Sequence, residues 1–377
     1  MAINKVLIVG GGIGGLTAAI ALHRKGIEAE VIERDPNWAV YGVGIIQPSN
    51  VLRALSEIGL GQSCVQNGRG FQGWRFCDAQ GNQLGDSHVH NVMGADYPPI
   101  NGIRRPTLHK ILTETTLGQG TSVRLGVTLS SWTEDSEGID ATFSDGTTGR
   151  YDLIIGADGA YSKLRHELFG DVVKPYFTGQ GVWRHNFERP RDLDWGMIFF
   201  GEKSKAGLVP ISETLMYMFV ATPEPGNPRH PADQLHTLLK ERLAEYGGIV
   251  KQLAEQIVDP NDVVYRPMEV VMLPAPWHKG RIVLVGDAAH SSTPHLAEGA
   301  GMAIEDSVVL AEVLAANSHD VESALSIFEK RRMPRAKLVY DVSVRLGEWE
   351  MAQWNGQQHG DVGALMNSTY ATLMQPI

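Results

Sequence analysis

The stretch KVLIVGGGIGGLTAAIALHRKGIEAEVIERD, from Lys5 to Asp35, constrains this chain more than any other. An apolar run meets a glycine cluster, continues as a small-residue helical pattern, and returns as a second strand pattern. That order predicts a βαβ unit, with two parallel strands joined by a crossover helix. Gly26 is placed to end the helix, and Arg24 and Lys25 complement the negative end of its dipole. A parallel sheet must be covered on both faces, so the rest of the chain has to supply helices and further buried strands.

Gly10, Gly12 and Gly15 satisfy G-x-G-x-x-G. The first permits the tight turn, the second lets backbone approach a pyrophosphate, and the third lets helix and strand pack closely. The free N–H groups around Ile13 and Gly14, at the helix start, then face the phosphates. Glu33 follows at a strand end, eighteen residues beyond Gly15, with Arg34 beside it. An acid there accepts hydrogen bonds from ribose hydroxyls and favours NAD or FAD over NADP. The bland alternative is a glycine-rich turn that holds nothing.

The chain has 377 residues, 43% of them hydrophobic and 20% charged, as expected of a globular protein with one large composite domain or two. The formal net charge of −10 and the lack of a basic run argue against nucleic acid as partner. The longest apolar runs are broken by glycine clusters, so no membrane span is expected, and the N-terminus lacks a signal-peptide layout, which points to the cytoplasm. Cys64 and Cys77 stand outside any C-x-x-C context and read as reduced, buried thiols. The thirteen histidines show no metal-ligand spacing, so no metal is expected.

The α/β character recurs near 101–165 and again at 281–315, while the segments between are rich in strand patterns. The expected division has 1–70, 101–170 and 276–320 as a nucleotide-binding domain of discontinuous pieces. Residues 71–100 and 171–275 form an inserted β-sheet domain, with one helical interruption near 232–256. Residues 321–377 form a C-terminal segment, helical to about 348 and ambiguous beyond.

Two further motifs follow buried strands. In DLIIGADGAYSKLR, Asp158 and Gly159 close a strand, and Ser162 and Arg165 open a helix. Alone this reads equally as a turn with a capping aspartate. In RIVLVGDAAHSSTPHLAEGAGMAIED, Asp287 follows a strand directly, and a loop of small residues leads to a helix starting near Gly299. A carboxylate there can bind ribityl or ribose hydroxyls, while a flat ring lies against bare backbone whose N–H groups face developing negative charge.

Taken together, the three motifs resemble the flavin-dependent aromatic hydroxylases of the para-hydroxybenzoate and salicylate hydroxylase type, over roughly residues 4–345. The resemblance implies a Rossmann-like FAD-binding domain with an inserted substrate-binding sheet and C-terminal helices. It implies FAD as cofactor, NADH or NADPH as transient co-substrate, and O₂ as oxidant, with an oxygen atom passed from a flavin C4a-hydroperoxide to a phenolic or N-heteroaromatic ring. Epoxidase, oxidase or partner-reductase-dependent chemistry on the same fold is the alternative, and a non-catalytic FAD-binding regulator is a third reading. Carried over by position, Gly10, Gly12, Gly15 and Glu33 would hold the ADP half. Arg105 would touch the flavin chain, and Asp158 and Gly159 would serve both FAD and the passing nicotinamide nucleotide. Asp287 would bind the ribityl or pyrophosphate region. The segment Pro294 to Met302, including Gly299, Ala300 and Gly301, would wrap the ring. The family often has GQGxN where this chain has Glu298-Gly-Ala-Gly-Met302. Relatives are monomers or homodimers.

For the substrate pocket, His295 directly after Pro294 is the first candidate for substrate contact or base. His185, on the strand pattern VWRHNF, is another, though its face is open. Lys205 and Tyr217 occupy two strands of one hairpin, where comparable positions in urate-hydroxylating relatives face the substrate. Tyr217 could equally be a sheet aromatic with its hydroxyl at the edge. His290 and the acid pair Glu305–Asp306 read as structural support.

Overall fold

A computed structural model describes residues 3–40 and 42–377. The βαβ unit forms as its pattern predicts. Strand Lys5–Val9 pairs in parallel with Glu28–Glu33, and helix Ile13–Arg24 joins them. That helix is buried without interruption from Gly15 to Leu22, which explains its uniformly small and apolar sequence. Gly26, at φ +76°, ends it.

Four more strands extend this sheet to six. Ser122–Leu125 lies beyond Glu28–Glu33, while Leu153–Gly156, Ile282–Leu284 and His278–Lys279 continue from the other edge of Lys5–Val9. All pairings but the last are parallel, so the strand ends at Val9, Gly156 and Leu284 emerge side by side at one edge. In open α/β sheets that carboxyl edge is where ligands bind. Helix Gly299–Ala316 crosses helix Ile13–Arg24 closely, with the Ser307 hydroxyl donating to the Gly14 carbonyl at 2.9 Å. A three-stranded meander, Leu129–Glu134, Ile139–Phe143 and Thr148–Tyr151, adds Phe143 and Tyr151 to the same core.

A seven-stranded mixed sheet stands apart in sequence. Its order is Val264–Val270, Tyr176–Glu188, Leu215–Pro223, Lys205–Pro210, Gly196–Phe200, Gly73–Asp78 and Gln83–His88. One face buries Trp183, Phe187, Met216, Met218 and Leu208 against helices Leu235–Arg242 and Gly248–Glu255. The helical interruption near 232–256 is thus two helices, broken at Gly247 and Gly248, the latter at φ +53°. The opposite face looks toward the first sheet. A small sheet of Gly44–Pro48, Ile100–Arg104 and Arg69–Phe71 fills the junction.

Helix Val321–Trp354 runs past the expected end near 348 and carries Pro334 inside it. The ambiguous tail contains a further helix, Val362–Leu373, started by Asp361, whose side chain accepts from the Ala364 N–H. Among the described residues no helix is long and apolar enough to cross a membrane.

Candidate active site

The glycine loop sits at the carboxyl edge of the first sheet. Gly10 has φ +113°, and a Cβ there would lie 2.3 Å from the Ala157 carbonyl oxygen. A Cβ on Gly15 would lie 1.9 Å from the Gly10 carbonyl oxygen. Gly12 differs: among the described residues, a Cβ there would meet nothing within 4 Å. Two glycines are thus demanded by the fold, and the third leaves backbone open to a ligand, as pyrophosphate binding at a helix N-terminus requires.

Glu33 accepts from the Gly11 N–H and the Asp35 N–H, both at 2.8 Å. The expected ribose acid is therefore also the clamp on its own loop, with lone pairs remaining for a hydroxyl. Arg34 is exposed. Two residues not anticipated from the sequence complete the clamp. Trp38 donates its indole N–H to the Gly11 carbonyl at 2.7 Å, and His109 Nε2 lies 3.3 Å from the same oxygen. Their rings meet edge to face.

Asp158 and Gly159 follow the neighbouring strand. One Asp158 carboxylate oxygen accepts from the Leu164 N–H at 3.2 Å, while the other is buried without a partner among the described residues. A buried orphan acceptor beside the glycine loop fits a hydroxyl-bearing cofactor. Arg165 ties this motif to the third by donating to the Ala160 and Ala288 carbonyls at 2.7 and 2.8 Å.

Gly286, at φ +56°, turns the third strand into the short helix Asp287–His290. The Asp287 carboxyl is open to water yet flanked closely by protein. That enclosure raises its pKa, against the pull of His290 and Arg105. Its neighbours are held from behind. Asp306 accepts from the Gly286 N–H at 2.9 Å and lies 2.6 Å from His290 Nε2. Arg332 donates to Asp306 and Glu305 at 2.8 Å each, and Arg335 makes a two-pronged pair with Glu305. Burial would raise Asp306, but His290 and Arg332 outweigh it and hold its carboxyl at about 2. The support role expected of Glu305, Asp306 and His290 is what this geometry provides.

The ring-wrapping segment divides in two. Pro294–Leu296 forms a single tight turn and Gly299 opens the long helix, where a built Cβ would lie 3.7 Å from the Ser292 hydroxyl. Gly301 instead presses on Val51, 2.4 Å from a built Cβ, while Ala300 borders the first core. Met302 points into a cluster with Leu296, Val339 and Leu346. At Gly301 and Met302, expected at the ring, the Cβ position and the side chain thus face protein. Glu298 is fully buried, accepts from the Asn50 amide at 3.0 Å, and is pushed up to about 8 by burial and by Glu305. At neutral pH it is an uncharged acid beside the Glu305 carboxylate.

The second sheet contributes one face. Strand register places Val182, Arg184 and Asn186 beside Ala221, Phe219 and Tyr217 on the side toward the first sheet. His185 pairs with Met218 on the other side, and its ring rests on Phe187. His185, a sequence candidate for catalysis, is thus removed from the site by the two-residue period of its strand.

Lys205 and His295 are brought together, but by a residue the sequence did not single out. Glu350, on helix Val321–Trp354, forms an ion pair with Lys205 and lies 3.2 Å from His295 Nε2. It also accepts from the Gln180 amide at 2.8 Å. Burial raises Glu350, but Lys205 and His295 bring it down to about 2. His295 Nδ1 lies 2.8 Å from the Thr293 hydroxyl, so both ring nitrogens are engaged. A carboxylate only accepts, so His295 carries its proton on Nε2, and Nδ1 accepts from Thr293. Burial lowers the His295 pKa and keeps the ring neutral near pH 7. His295, expected as substrate contact or base, is therefore engaged inside the protein on both sides.

Tyr217 is buried with Phe71, Ile100, Val209 and Ile211, and its ring lies against Gly44, 2.1 Å from a built Cβ. Burial pushes its phenol up to about 12, so it remains a hydrogen-bond donor at any working pH. Arg105 lies within electrostatic reach of both Asp287 and Tyr217, joining the two halves of the site.

A nucleotide loop, two strand-end aspartates and a loop of small residues, facing one side of a separate sheet, define a flavin-dependent monooxygenase. The comparisons agree. The family described as FAD binding domain matches residues 4–343, and the chain belongs to it. Aurachin C monooxygenase/isomerase of Stigmatella aurantiaca is 31% identical over 93% of this chain and 90% of its own length. The 3-amino-4-hydroxybenzoate 2-monooxygenase PtmB3 of Streptomyces platensis is 32% identical over 89% of this chain and 86% of its own. Among solved structures, Klebsiella pneumoniae HpxO complexed with FAD and uric acid superposes with a TM-score of 0.83 at 26% identity, covering 98% of this chain and 92% of that one.

Proposed function

We propose that this chain uses NADH or NADPH and O₂ to hydroxylate a phenolic or N-heteroaromatic small molecule. The observation that carries this reading is the convergence of the Asp287 cleft and the Tyr217 side of the second sheet, with Arg105 in reach of both. FAD, reduced by the nicotinamide nucleotide, supplies the activation of O₂. The remaining work falls to the protein.

Gly10, Gly12, Gly15 and the helix start at Ile13 and Gly14 would hold the pyrophosphate, and Glu33 the ribose. Arg105, Asp158 and Asp287 would hold the flavin chain, and Pro294 and Gly299 would border the ring. Tyr217, neutral throughout the working range, donates its O–H to a ring oxygen of the substrate and helps stabilise it as an oxyanion. The Glu350 carboxylate fixes the tautomer of His295, which in turn holds the Thr293 hydroxyl by its proton. The apolar residues beside Tyr217 exclude water, which oxygen transfer requires.

The test is anaerobic stopped-flow reduction of the flavin-loaded protein by NADH and by NADPH. Each is run with and without hydroxybenzoates, hydroxypyridines, hydroxyquinolines and purines. A ligand that accelerates bleaching at least tenfold, with hydroxylated product after aeration, is the expected result. Flavin that stays oxidised with every pair overturns the proposal in favour of a partner reductase or an oxidase.

A further inference from the structure

Glu298 is the residue before the long helix Gly299–Ala316, and its side chain is buried. The carboxyl folds back over the first turn of that helix. A Cβ built on Gly301 would lie 2.8 Å from its Oε2, and the same oxygen accepts from the Asn50 amide at 3.0 Å. Asn50, in the first turn of helix Ser49–Glu57, is buried as well. The other halves of both groups are unmet. Glu298 Oε1 and Asn50 Oδ1 are each buried and have no hydrogen-bond partner among the described residues. Both are acceptors, so neither can satisfy the other while Glu298 is ionised. A proton on Oε1 turns the acid into a donor, and the amide that already holds its Oε2 has an oxygen to receive it.

The charges around the pair favour the same state. Asp306 and Glu298 are equally deep, yet Asp306 meets Arg332 and His290, while Glu298 makes no ion pair among the described residues. Arg332 and Arg335, on helix Val321–Trp354, are both held by Glu305, which faces Glu298 from its own helix. Arg53, on helix Ser49–Glu57, also bears on Glu305. From helix Val362–Leu373 comes Tyr370, whose phenol burial and Glu298 push up, so it is uncharged. The helix start favours an anion, but burial first and Glu305 second outweigh Asn50 and the two arginines and push Glu298 up to about 8.

The N–H groups of the first turn have no acceptor within the helix and form its positive end. A carboxylate over that turn would offset this end, and a neutral acid leaves it whole. We propose that Glu298 is a positioning residue which, as a neutral acid paired with Asn50, keeps the helix start at Gly299 positive toward the flavin ring and so raises the flavin's reduction potential. The inference rests on the reading above that sets the ring beside Gly299.

The test is electrochemical reduction of the flavin-loaded protein across pH, with no nicotinamide present. An ionised Glu298 and a reduced, anionic ring repel each other, so above about pH 8 reduction draws one further proton onto Glu298. The parent's potential should therefore fall about twice as steeply with pH above that point as below it, as one proton per two electrons becomes two. Glu298→Gln supplies an amide of the same shape that never ionises. Its flavin content and its potential at neutral pH should match the parent, and the steepening should be absent. An infrared band of a protonated carboxyl should fade from the parent across the same pH range and be missing from the variant. The proposal falls if the parent shows no steepening, or if the steepening survives in Glu298→Gln. It falls equally if that variant has the higher potential at neutral pH, since Glu298 then carries its charge throughout. Loss of flavin from the variant would also overturn it, since an amide replaces a neutral acid without loss. A parent that steepens but is never reduced by NADH or NADPH would sink the monooxygenase reading alone. Rapid reduction by either nucleotide, without the steepening, would sink this inference alone.

Discussion

The two walls of the site are built on opposite principles. The nucleotide wall is made of backbone. Its residues are glycines, or side chains such as Glu33 and Trp38 that grip backbone, and each is dictated by a local constraint: a positive φ, a missing Cβ, a loop N–H to be met. The sheet wall is made of side chains whose face is set by pairing to strands far away in sequence. The first wall resists change because substitution collides with main chain. The second tolerates change, because a strand residue can be replaced without disturbing the ladder, and that freedom suits a surface that selects substrates.

Substitutions on the two walls should separate accordingly. The largest effect is expected from Gly15→Val, which drives a side chain into the Gly10 carbonyl. FAD retention after gel filtration should fall to a trace, and a variant that keeps its yellow colour would break the contrast. Next is Arg332→Met, which leaves Asp306 buried without its arginine and Glu305 with Arg335 alone. Loss of one partner of a buried pair costs about 3–5 kcal/mol, measurable by urea denaturation. Because the Asp306 pKa is depressed in the folded state, its contribution is present above about pH 4 and is lost as pH falls toward 2. The acid limb of the parent's stability profile should therefore flatten in the variant.

A middling effect is expected from Glu350→Gln, which removes the anion from Lys205 and the acceptor that fixes the His295 tautomer. kcat should fall about tenfold, the equivalent of one charge-assisted hydrogen bond. The flavin content should stay whole, and the ¹⁵N shifts of His295 should report a changed tautomer. An unchanged tautomer would remove Glu350 from its positioning role. The smallest effect is expected from His185→Phe. It is buried on the far face against Phe187, out of contact with the site, so kcat/KM should stay within about twofold. A large loss would mean that the two faces of the sheet have been exchanged.

The same contrast explains what could be read from the chain. The tight turn at Gly10 and the close helix–strand approach at Gly15 were legible because such constraints call for glycine wherever they occur. The packing at positions 301 and 302 was not legible, because it is set by Val51 and Val339, which come from distant segments of the chain. His185 could not be assigned a face without knowing that it pairs with Met218. Glu350 was invisible because its partners lie 55 and more residues away. Arg332 and Arg335 left a clue, since their i, i+3 spacing puts two cations on one helix face, opposite the acid pair at 305–306.

The Arg332 contact also orders events in time. The glycine loop is made within the first tens of residues, but Gly286 and His290 are anchored through Asp306, and Asp306 through an arginine on helix Val321–Trp354. During synthesis the nucleotide half of the cradle can form early, while the opposite wall waits for that helix to leave the ribosome and dock. A cradle with both walls in place therefore comes late in the life of a nascent chain, and what completes it is a contact between two protein segments.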